Sequence, residues 1–298
     1  MTTDDTNPSS AALSERFLLG GTLPIHRLGF GAMRLAAGSF LGPARSPETG
    51  IAVLRRAVEL GVNHIDTAWF YRRGGTVANE LIRTALAPYG DDLVIATKVG
   101  PLFDSDGVPG GQARPDQLRS LVEDNLRSLG VDRLDLVYLR VGGLTDPGGE
   151  SIAARFEALA RLREEGLIQH LGVSNVDAVQ LAEAQAITTV AAVQNSFHVQ
   201  DQGDAELLTQ CEKAGIAFVP FFPLGGGHRP IDATRMAQVM ARHEATAAQV
   251  ALAWLLARSP TLLAIPGTGS LDHLEENMGA SRIRLPPQDL ASLGSSAS

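Results

Sequence analysis

The chain has 298 residues, a mass of 31.5 kDa, a hydrophobic fraction of 44% and a net charge of −8. Its length suits two ordinary domains or one large α/β barrel. The acidic balance, with no basic run beyond Arg72-Arg73, argues against a nucleic-acid partner. No apolar stretch approaches the roughly 18 residues of a membrane span, and the N-terminus lacks the pattern of a signal peptide.

Cysteine usage indicates a reducing compartment. The chain holds one cysteine, Cys211, so it cannot form an internal disulfide, and we expect a cytoplasmic protein. Cys211 falls in a predicted helix, where packing is a more common role than nucleophilic chemistry. We expect residues 1–15 and 294–298 to be disordered tails on either side of one folded region, residues 16–293.

Short apolar runs alternate with amphipathic stretches from residue 28 to about residue 285, after a hairpin pattern at residues 16–25 with a Gly20-Gly21 turn. The predicted strands are residues 28–33, 64–67, 93–98, 134–139, 168–173, 190–194, 217–221 and 262–265. The predicted helices include residues 46–60, 76–86, 115–129, 151–165, 176–186, 204–214 and 246–258. Four glycines follow predicted helices, where a left-handed residue commonly ends a helix: Gly61, Gly130, Gly166 and Gly215.

The order of the elements predicts the fold. Strands that alternate with helices form a parallel sheet through right-handed crossovers. Eight units of about 30 residues each predict a single closed (β/α)8 TIM barrel, an α/β fold, with an N-terminal β-hairpin. The competing fold is an open doubly wound sheet, which usually carries G-x-G-x-x-G after its first strand. Here Gly29-Phe-Gly31-Ala-Met-Arg34 lacks the third glycine, so the barrel is the expected architecture.

Functional side chains stand at the carboxyl ends of the predicted strands, which is where (β/α)8 barrels place their active sites. Because the chain uses 23 arginines and only two lysines, a lysine at a buried strand end suggests chemistry that a guanidinium cannot perform. Taken singly, each residue has a structural alternative, such as a helix cap for Asp66 or a core position for Tyr71. The residues at these strand ends are Asp66, Tyr71, Lys98, Arg140, Ser174, Asn175, Gln194, Phe221, Gly267 and Thr268.

Tyrosine, lysine and aspartate in one pocket can deliver a proton. A phenol has a pKa of about 10, which is too high for ready proton exchange at neutral pH. A nearby ammonium lowers that pKa, and a carboxylate holds the ammonium in place. We therefore expect Tyr71, with a lowered pKa, to protonate a carbonyl oxygen while hydride arrives at the carbon.

The motifs around these residues resemble the aldo-keto reductase superfamily, in order over about residues 17–290. The matching stretches are Gly61-Val-Asn-His-Ile-Asp66-Thr-Ala-Trp-Phe-Tyr71, Ala96-Thr-Lys98, Leu134-Asp-Leu-Val-Tyr-Leu139, Gly172-Val-Ser-Asn175, Val193-Gln194 and Ile265-Pro-Gly267. The resemblance implies a nicotinamide-dependent oxidoreductase with Tyr71 as general acid, Lys98 as its partner and Asp66 as the residue that orients Lys98. It also implies that Ser174, Asn175 and Gln194 hold the carboxamide of the nicotinamide and that Phe221 stacks on the nicotinamide ring.

Arg140 departs from the superfamily pattern, which normally has histidine at this position. One interpretation is that Arg140 donates hydrogen bonds to the substrate oxygen and lowers the pKa of Tyr71. The other is that the role of the histidine is lost and the enzyme is slow or inactive. Two stretches of the chain look like the bacterial branch that contains pyridoxal reductases: Arg27-Leu-Gly-Phe-Gly-Ala-Met-Arg-Leu35 and Phe218-Val-Pro-Phe-Phe-Pro-Leu-Gly-Gly226. That branch resembles this chain in having arginine at the position of Arg140.

The resemblance also implies where the rest of the cofactor lies. A helix start with free N–H groups after the last strand can bind a phosphate, and glycines after strand seven can let backbone approach the pyrophosphate. His273 stands where the family commonly has arginine, yet NADPH remains the expected cofactor, with NADH as the alternative. The expected contacts are Leu224, Gly225, Gly267, Thr268, His273, Glu276 and Asn277.

The substrate side is expected to be apolar, and no metal is expected, because no histidines have ligand spacing such as H-x3-H. The candidate substrate contacts are Met33, Phe40, Trp69 and Phe70, with Phe197 or His198 opposite.

The leading hypothesis is an NADPH-dependent reductase of a small-molecule aldehyde or ketone, with pyridoxal-type aldehydes first, acting as a monomer or weak homo-oligomer. The alternatives are a ketone or sugar reductase of a biosynthetic pathway, a low-turnover nicotinamide-binding redox sensor, and an aldolase that uses Lys98 for a Schiff base.

Overall fold

The computed structural model describes residues 16–37, 43–103, 109–227 and 231–294. Its strands are Arg16–Leu19 (β1), Leu23–His26 (β2), Phe30–Gly31 (β3), His64–Asp66 (β4), Arg72–Arg73 (β5), Thr76–Val77 (β6), Val94–Val99 (β7), Pro101–Phe103 (β8), Pro109–Gln112 (β9), Leu134–Arg140 (β10), Ile168–Ser174 (β11), Val190–Gln194 (β12) and Ala217–Phe218 (β13). Its α-helices are Met33–Ala36 (α1), Pro47–Glu59 (α2), Ala78–Leu86 (α3), Leu118–Leu129 (α4), Ala153–Glu164 (α5), Ala178–Ile187 (α6), Ala205–Ala214 (α7), Ala237–His243 (α8), Ala247–Arg258 (α9), Leu271–Gly279 (α10) and Pro287–Gly294 (α11).

Seven parallel strands form a continuous sheet in the order β3, β4, β7, β10, β11, β12 and β13. Residues 262–264 complete the ring, because they pair with both edges of this sheet. On one side Ala264 N donates to Arg27 O at 2.8 Å, and on the other Leu263 N donates to Phe218 O at 2.9 Å. The predicted (β/α)8 barrel is thus confirmed. Its eighth segment, residues 262–264, joins each neighbouring segment through an isolated bridge of one residue pair and not through a longer strand.

The N-terminal hairpin covers one end of the barrel. Strands β1 and β2 pair antiparallel around a turn in which Gly20 and Gly21 have φ of 57° and 75°, values that glycine adopts without strain. Leu19 and Ile25 of this hairpin are fully buried and belong to the same apolar cluster as Val94, at the start of β7. The hairpin therefore closes the amino ends of the strands and leaves their carboxyl ends open.

Most predicted elements are present with boundaries shifted by a few residues. The first predicted strand, residues 28–33, reduces to Phe30–Gly31 because the chain turns into α1 at Met33. The four glycines expected to end helices all have positive φ: Gly61 (93°), Gly130 (73°), Gly166 (87°) and Gly215 (67°).

Two short hairpins, β5–β6 and β8–β9, were not expected from the sequence. The predicted N-terminal tail lies outside the described residues, and so do residues 295–298 of the predicted C-terminal tail. Gly294, the first residue of that C-terminal tail, belongs to α11. Among the helices that the structure describes, none has the length and apolarity to cross a bilayer.

Candidate active site

A cavity of about 520 Å³ opens at the carboxyl ends of the barrel strands, a size typical of small-molecule sites. Four strands of the sheet bring Asp66 (β4), Lys98 (β7), Arg140 (β10) and Gln194 (β12) to its wall. Side chains alternate between the two faces of a strand, so a strand's last inward residue faces the open end of the barrel. These four residues and Tyr71, which the sequence analysis singled out, therefore meet at one place.

Lys98 is the centre of a buried chain of polar contacts. Its Nζ donates to Asp66 Oδ1 at 2.5 Å and to the Thr67 carbonyl oxygen at 2.9 Å. The same ammonium lies 5.0 Å from the centroid of the Tyr71 ring. At this distance a hydrogen bond between the two side chains acts to lower the pKa of Tyr71 and to raise the pKa of Lys98. Lys98 and Asp66 are 3% and 2% exposed, so their attraction acts with little screening by water.

The pKa of Tyr71 differs in direction from the expectation. Burial raises the pKa of this phenol, and Lys98 and Arg140, which both act to lower it, do not overcome that effect. Desolvation disfavours the phenolate more than the two cations favour it, so the expected lowering of the Tyr71 pKa is wrong. The consequence is that Tyr71 holds its proton at neutral pH.

Lys98 shows the opposite balance. Burial acts to lower the pKa of its ammonium, but Asp66 and Tyr71 outweigh burial, and the net pKa of Lys98 is raised. Lys98 is therefore protonated at neutral pH, which makes it a hydrogen-bond donor and a poor nucleophile.

Arg140 is fixed beside Tyr71 by its own loop. Its Nη2 donates to the carbonyl oxygens of Gly143 at 2.9 Å and Leu144 at 2.6 Å, and its Nη1 donates to Ser174 Oγ at 3.3 Å. Burial lowers the pKa of Arg140 to about 10, while Tyr71 acts to raise it. The guanidinium thus stays charged at neutral pH and lines the cavity with a set orientation.

The three residues expected to hold a carboxamide are placed differently. Gln194 lines the cavity, donates from Nε2 to Asp66 Oδ2 at 2.7 Å, and has a buried Oε1 without a hydrogen-bond partner among the described residues. Ser174 and Asn175 are buried beside the cavity and are not among the residues that line it. Asn175 Nδ2 donates to three carbonyl oxygens, those of Val141, Gly143 and Asp146, so it supports the loop that holds Arg140.

The next part of the cavity wall follows β13 and the eighth segment. Phe221, Leu224 and Gly267 all line it, and the Phe221 ring lies 4.6 Å from the guanidinium carbon of Arg140. Gly225 begins a short turn with φ of 76° and is not a lining residue.

The remaining expected cofactor residues lie on or before α10, beyond the cavity. Thr268 Oγ1 accepts a hydrogen bond from Ser270 N at 3.1 Å, and Ser270 caps the helix. His273 is exposed in its first turn, Glu276 Oε1 accepts from Thr246 Oγ1 at 2.6 Å, and Asn277 is 4% exposed.

Two arginines that the sequence analysis passed over lie beside this region. Arg45 Nη1 donates to Gly269 O at 3.3 Å, and a Cβ on Gly269 would lie only 2.6 Å from that nitrogen, so glycine makes room for the guanidinium. Arg45 Nε is buried without a hydrogen-bond partner within the described ranges. Arg34 lines the cavity and donates to Gly226 O; burial lowers its pKa, and the charge of Arg45 lowers it further. Positive charge is therefore concentrated next to the loop that precedes α10.

On the substrate side, Met33 and Phe70 line the cavity as expected. Phe197 does not: it is fully buried and stacks on Trp254 with ring centroids 5.9 Å apart, which corrects its assignment to the substrate wall. Trp69 also lies outside the lining, because its ring is covered by the guanidinium of Arg72 at 3.7 Å. His198 is buried, and Phe40 lies outside the described residues.

The β8–β9 hairpin supplies a wall that the sequence analysis missed. Leu102 and Phe103 line the cavity, and the Phe103 ring stacks on Phe70 with centroids 4.8 Å apart and planes 17° apart. The signal was the apolar Pro101-Leu-Phe103 run directly after a strand, which resembled neither a helix nor a barrel strand. With Leu144 from the loop after β10, these residues make the substrate side largely apolar.

No group of three histidine, cysteine or acidic side chains that could hold a metal occurs in the part of the chain that the structure describes. Cys211 is buried in α7, and burial raises the pKa of its thiol to about 12, so it is unreactive at neutral pH.

Comparison with known proteins assigns the family. The aldo/keto reductase family profile matches residues 27–297. The chain is 46% identical over 282 residues to pyridoxine 4-dehydrogenase of Escherichia coli (strain K12), covering 94% of this chain and 97% of that protein. Among solved structures, a thermostable aldo-keto reductase in complex with the inhibitor epalrestat is 30% identical with a TM-score of 0.79, covering 94% of this chain and 98% of that one.

A second solved structure is an aldo-keto reductase from Klebsiella pneumoniae in complex with NADPH. It is 26% identical with a TM-score of 0.75, and the match covers 94% of this chain and 93% of that one. The matches extend over nearly the whole folded region and include the strands that carry the cavity residues. The chain belongs to the aldo/keto reductase family.

Proposed function

We propose that this protein is an NADPH-dependent oxidoreductase that reduces an aldehyde to an alcohol, with planar aromatic aldehydes of the pyridoxal type as its preferred substrates. The observation that carries the proposal is the chain of contacts from Asp66 through Lys98 to Tyr71 at the base of an apolar cavity, with Arg140 held beside it. The 46% identity to a pyridoxine 4-dehydrogenase supports the substrate class.

The cavity residues are suited to a nicotinamide. Gln194 Oε1 is a buried acceptor at the cavity wall, and a primary carboxamide offers the N–H donor that such an atom requires. Phe221 offers an aromatic face, and Gly267 lines the same cavity. A bound NADPH would supply the hydride, and these residues would hold its nicotinamide against the substrate.

Positive charge near α10 supports NADPH over NADH. The family resemblance placed the adenosine phosphate at the loop before α10, where His273 replaces a common arginine. Arg45 contacts Gly269 of that loop from 224 residues earlier in the chain, so its guanidinium brings a positive charge to the loop. We propose that Arg45 provides the guanidinium that position 273 lacks, beside Thr268 and the start of the helix that carries Glu276 and Asn277.

Proton delivery follows from the geometry and the pKa directions. Tyr71 keeps its proton at neutral pH, so it can act as general acid toward the carbonyl oxygen as negative charge develops there. Lys98 stabilises the phenolate that remains, and Asp66 keeps Lys98 charged and oriented. Arg140 is held at the cavity wall by bonds from Nη2 to two loop carbonyls and a longer bond from Nη1 to Ser174, and from there its guanidinium can donate to the same oxygen.

The same geometry argues against an aldolase. Schiff-base formation needs a neutral amine, whereas Lys98 is held as an ammonium by Asp66 and has a raised pKa. A low-turnover redox sensor, suggested by arginine in place of histidine at position 140, makes a different kinetic prediction.

The test is multiple-turnover kinetics on a panel of aldehydes, ketones and sugars, followed by NADPH absorbance. We expect many equivalents of NADPH to be consumed with pyridoxal-type aldehydes and far fewer with sugars. Consumption that stops at one equivalent with every compound would instead indicate the sensor. A sugar or ketone preferred over all aldehydes would correct the substrate class.

Three broader proposals accompany this function: one folded unit over residues 16–293, a cytoplasmic location and a monomer or weak homo-oligomer. Limited proteolysis, cell fractionation and sedimentation equilibrium test them in turn.

A further inference from the structure

Tyr138 is a buried residue of the barrel interior to which neither the sequence motifs nor the proposed function gives a role. It lies on β10 two residues before Arg140, so both side chains project from the same face of the strand. Its backbone is in register with Lys98 on one side and Gly172 on the other. The side chain is 0% exposed, and a Cβ on Gly172 would lie 2.7 Å from its ring. The ring therefore packs directly on Gly172, where only glycine leaves enough space.

The hydroxyl of Tyr138 is a buried donor next to a buried acceptor. Tyr138 Oη and Gln194 Oε1 each lack a hydrogen-bond partner among the described residues, yet the two side chains are near enough for Gln194 to influence the pKa of Tyr138. Leaving a buried polar atom unpaired is costly, so a donor and an acceptor in this position are driven to pair.

The orientation of the Gln194 amide is set from its other end. Its Nε2 donates to Asp66 Oδ2 at 2.7 Å, and an ionised carboxylate can only accept hydrogen bonds. The amide nitrogen must therefore face Asp66, which leaves Oε1 to be satisfied by a donor on the opposite side. A carbonyl oxygen has two lone pairs, so a bond from Tyr138 leaves one for a second donor in the cavity.

We propose that Tyr138 is a positioning residue: its hydroxyl donates to Gln194 Oε1 and thereby holds the Gln194 N–H on Asp66, so that a chain of contacts runs from Tyr138 through Gln194, Asp66 and Lys98 to Tyr71. The inference deepens the proposed function, because Tyr71 is the proton donor of that function.

The effect on Tyr71 has a definite sign. The groups that influence the pKa of Tyr71 are Lys98 on β7, Asp66 on β4 and Arg140 on β10, and among them the carboxylate of Asp66 acts to raise it. A hydrogen bond from Gln194 partly neutralises that carboxylate. His64, two residues before Asp66, does not add a charge at neutral pH, because burial lowers its pKa to about 4. Loss of the Tyr138 hydroxyl therefore strengthens the field of Asp66 and raises the pKa of Tyr71 further.

The experiment compares wild type with Tyr138→Phe, which removes one oxygen and keeps the ring on Gly172. Two readouts are followed: the alkaline midpoint of kcat for aldehyde reduction, and an ultraviolet titration of tyrosinate without cofactor. The chain has three tyrosines, and burial raises the pKa of all three, so the tyrosinate signal of Tyr71 is identified as the one that disappears in Tyr71→Phe. We expect both midpoints to rise by about 0.5 unit and kcat to fall about threefold, with KM changing less.

The matched control is Trp254→Phe. Trp254 Nε1 is likewise a buried donor without a partner in the described parts of the chain, but its ring stacks on Phe197 in the core, away from the cavity. The control should alter stability without moving either midpoint. A second variant, Gln194→Met, removes the acceptor and should raise the tyrosinate midpoint like Tyr138→Phe, and the two changes should not add.

The outcomes separate the inference from the function beneath it. If Tyr138→Phe and Gln194→Met leave the tyrosinate midpoint where wild type has it, the positioning role is wrong even though the enzyme reduces aldehydes. If the midpoint moves as expected but wild type reduces no carbonyl compound, the contact chain stands and the proposed function fails. A shift of equal size in Trp254→Phe overturns the inference as well, because it traces the effect to loosened packing.

Discussion

Lys98 donates a 2.5 Å hydrogen bond to Asp66 where both side chains are buried, and its ammonium reaches Tyr71 on the other side. Removing either member of such a pair leaves a charge buried without its partner, which is strongly unfavourable. Substitutions within this group should consequently be non-additive, as expected of residues that act as a unit.

Replacing Tyr71 by phenylalanine should lower kcat for aldehyde reduction by about 10²–10⁴-fold, because the general acid is lost. NADPH affinity, measured by fluorescence titration, should stay within about twofold, since the ring remains in place. Tyr89→Phe is the control, because the Tyr89 hydroxyl donates to Leu129 O at 2.6 Å and does not line the cavity. Unchanged turnover in Tyr71→Phe would contradict the assignment of the proton donor.

Exchanging Arg140 for alanine should reduce kcat by about 10²–10³-fold, the usual effect of losing one donor to a developing oxyanion. Arg140→Lys should recover little, because a lysine cannot bond the carbonyls of Gly143 and Leu144 and also reach the substrate with a rigid fork. Arg119→Ala, an exposed arginine paired with Glu165, is the control. An effect below about tenfold would show that Arg140 only supports its loop.

The rate of reduction should be flat through neutral pH and fall only from about pH 10, because the reaction needs both Tyr71 and Arg140 protonated. Burial raises the pKa of Tyr71 above its ordinary value and lowers the pKa of Arg140 to about 10. Oxidation of the alcohol needs the phenolate and should accelerate over the same range. Pre-steady-state rates of aldehyde reduction and of alcohol oxidation, recorded across pH, measure this alkaline pH dependence. A fall centred between about pH 6 and pH 8 would show instead that Lys98 and Arg140 lower the pKa of the phenol in the bound state.

Arg45→Gln should raise the dissociation constant of NADPH about tenfold and leave that of NADH nearly unchanged, since a charge-assisted bond to a phosphate is removed. Equilibrium fluorescence titration with both cofactors measures the ratio without depending on turnover. Arg161→Gln, on the exposed face of α5, is the matched control. Equal weakening of both cofactors would place Arg45 in the support of the loop at Gly269 and not at a phosphate.

Phe103→Ala should raise KM for planar aromatic aldehydes about threefold to tenfold, because the stacked pair with Phe70 forms that wall and such ring contacts contribute about 0.5–1.5 kcal/mol. Short aliphatic aldehydes, which do not reach the wall, are the internal comparison. A uniform change in KM for both classes would mean that the β8–β9 hairpin acts on access to the cavity and not on substrate choice.

The sequence was sufficient for the fold and for the centre of the site. The alternation of apolar runs with amphipathic stretches is a local pattern, and it predicts a parallel α/β sheet because parallel strands need crossover connections. The number of units, eight, and the missing third glycine after the first strand favoured a closed barrel over an open sheet. Asp66, Lys98, Arg140 and Gln194 could be placed together from the same pattern, since each ends a strand and all strands of such a barrel end on one side.

Only the tertiary structure decided which side chains from distant parts of the chain are in contact. Periodicity cannot show that Arg45 lies on Gly269, that Phe103 stacks on Phe70, or that Phe197 turns into the core against Trp254, because each pair joins segments whose spacing in the chain says nothing about their packing. The direction of the Tyr71 pKa belongs to the same class, since it is a balance between desolvation and two cations, and burial exists only once the chain has folded.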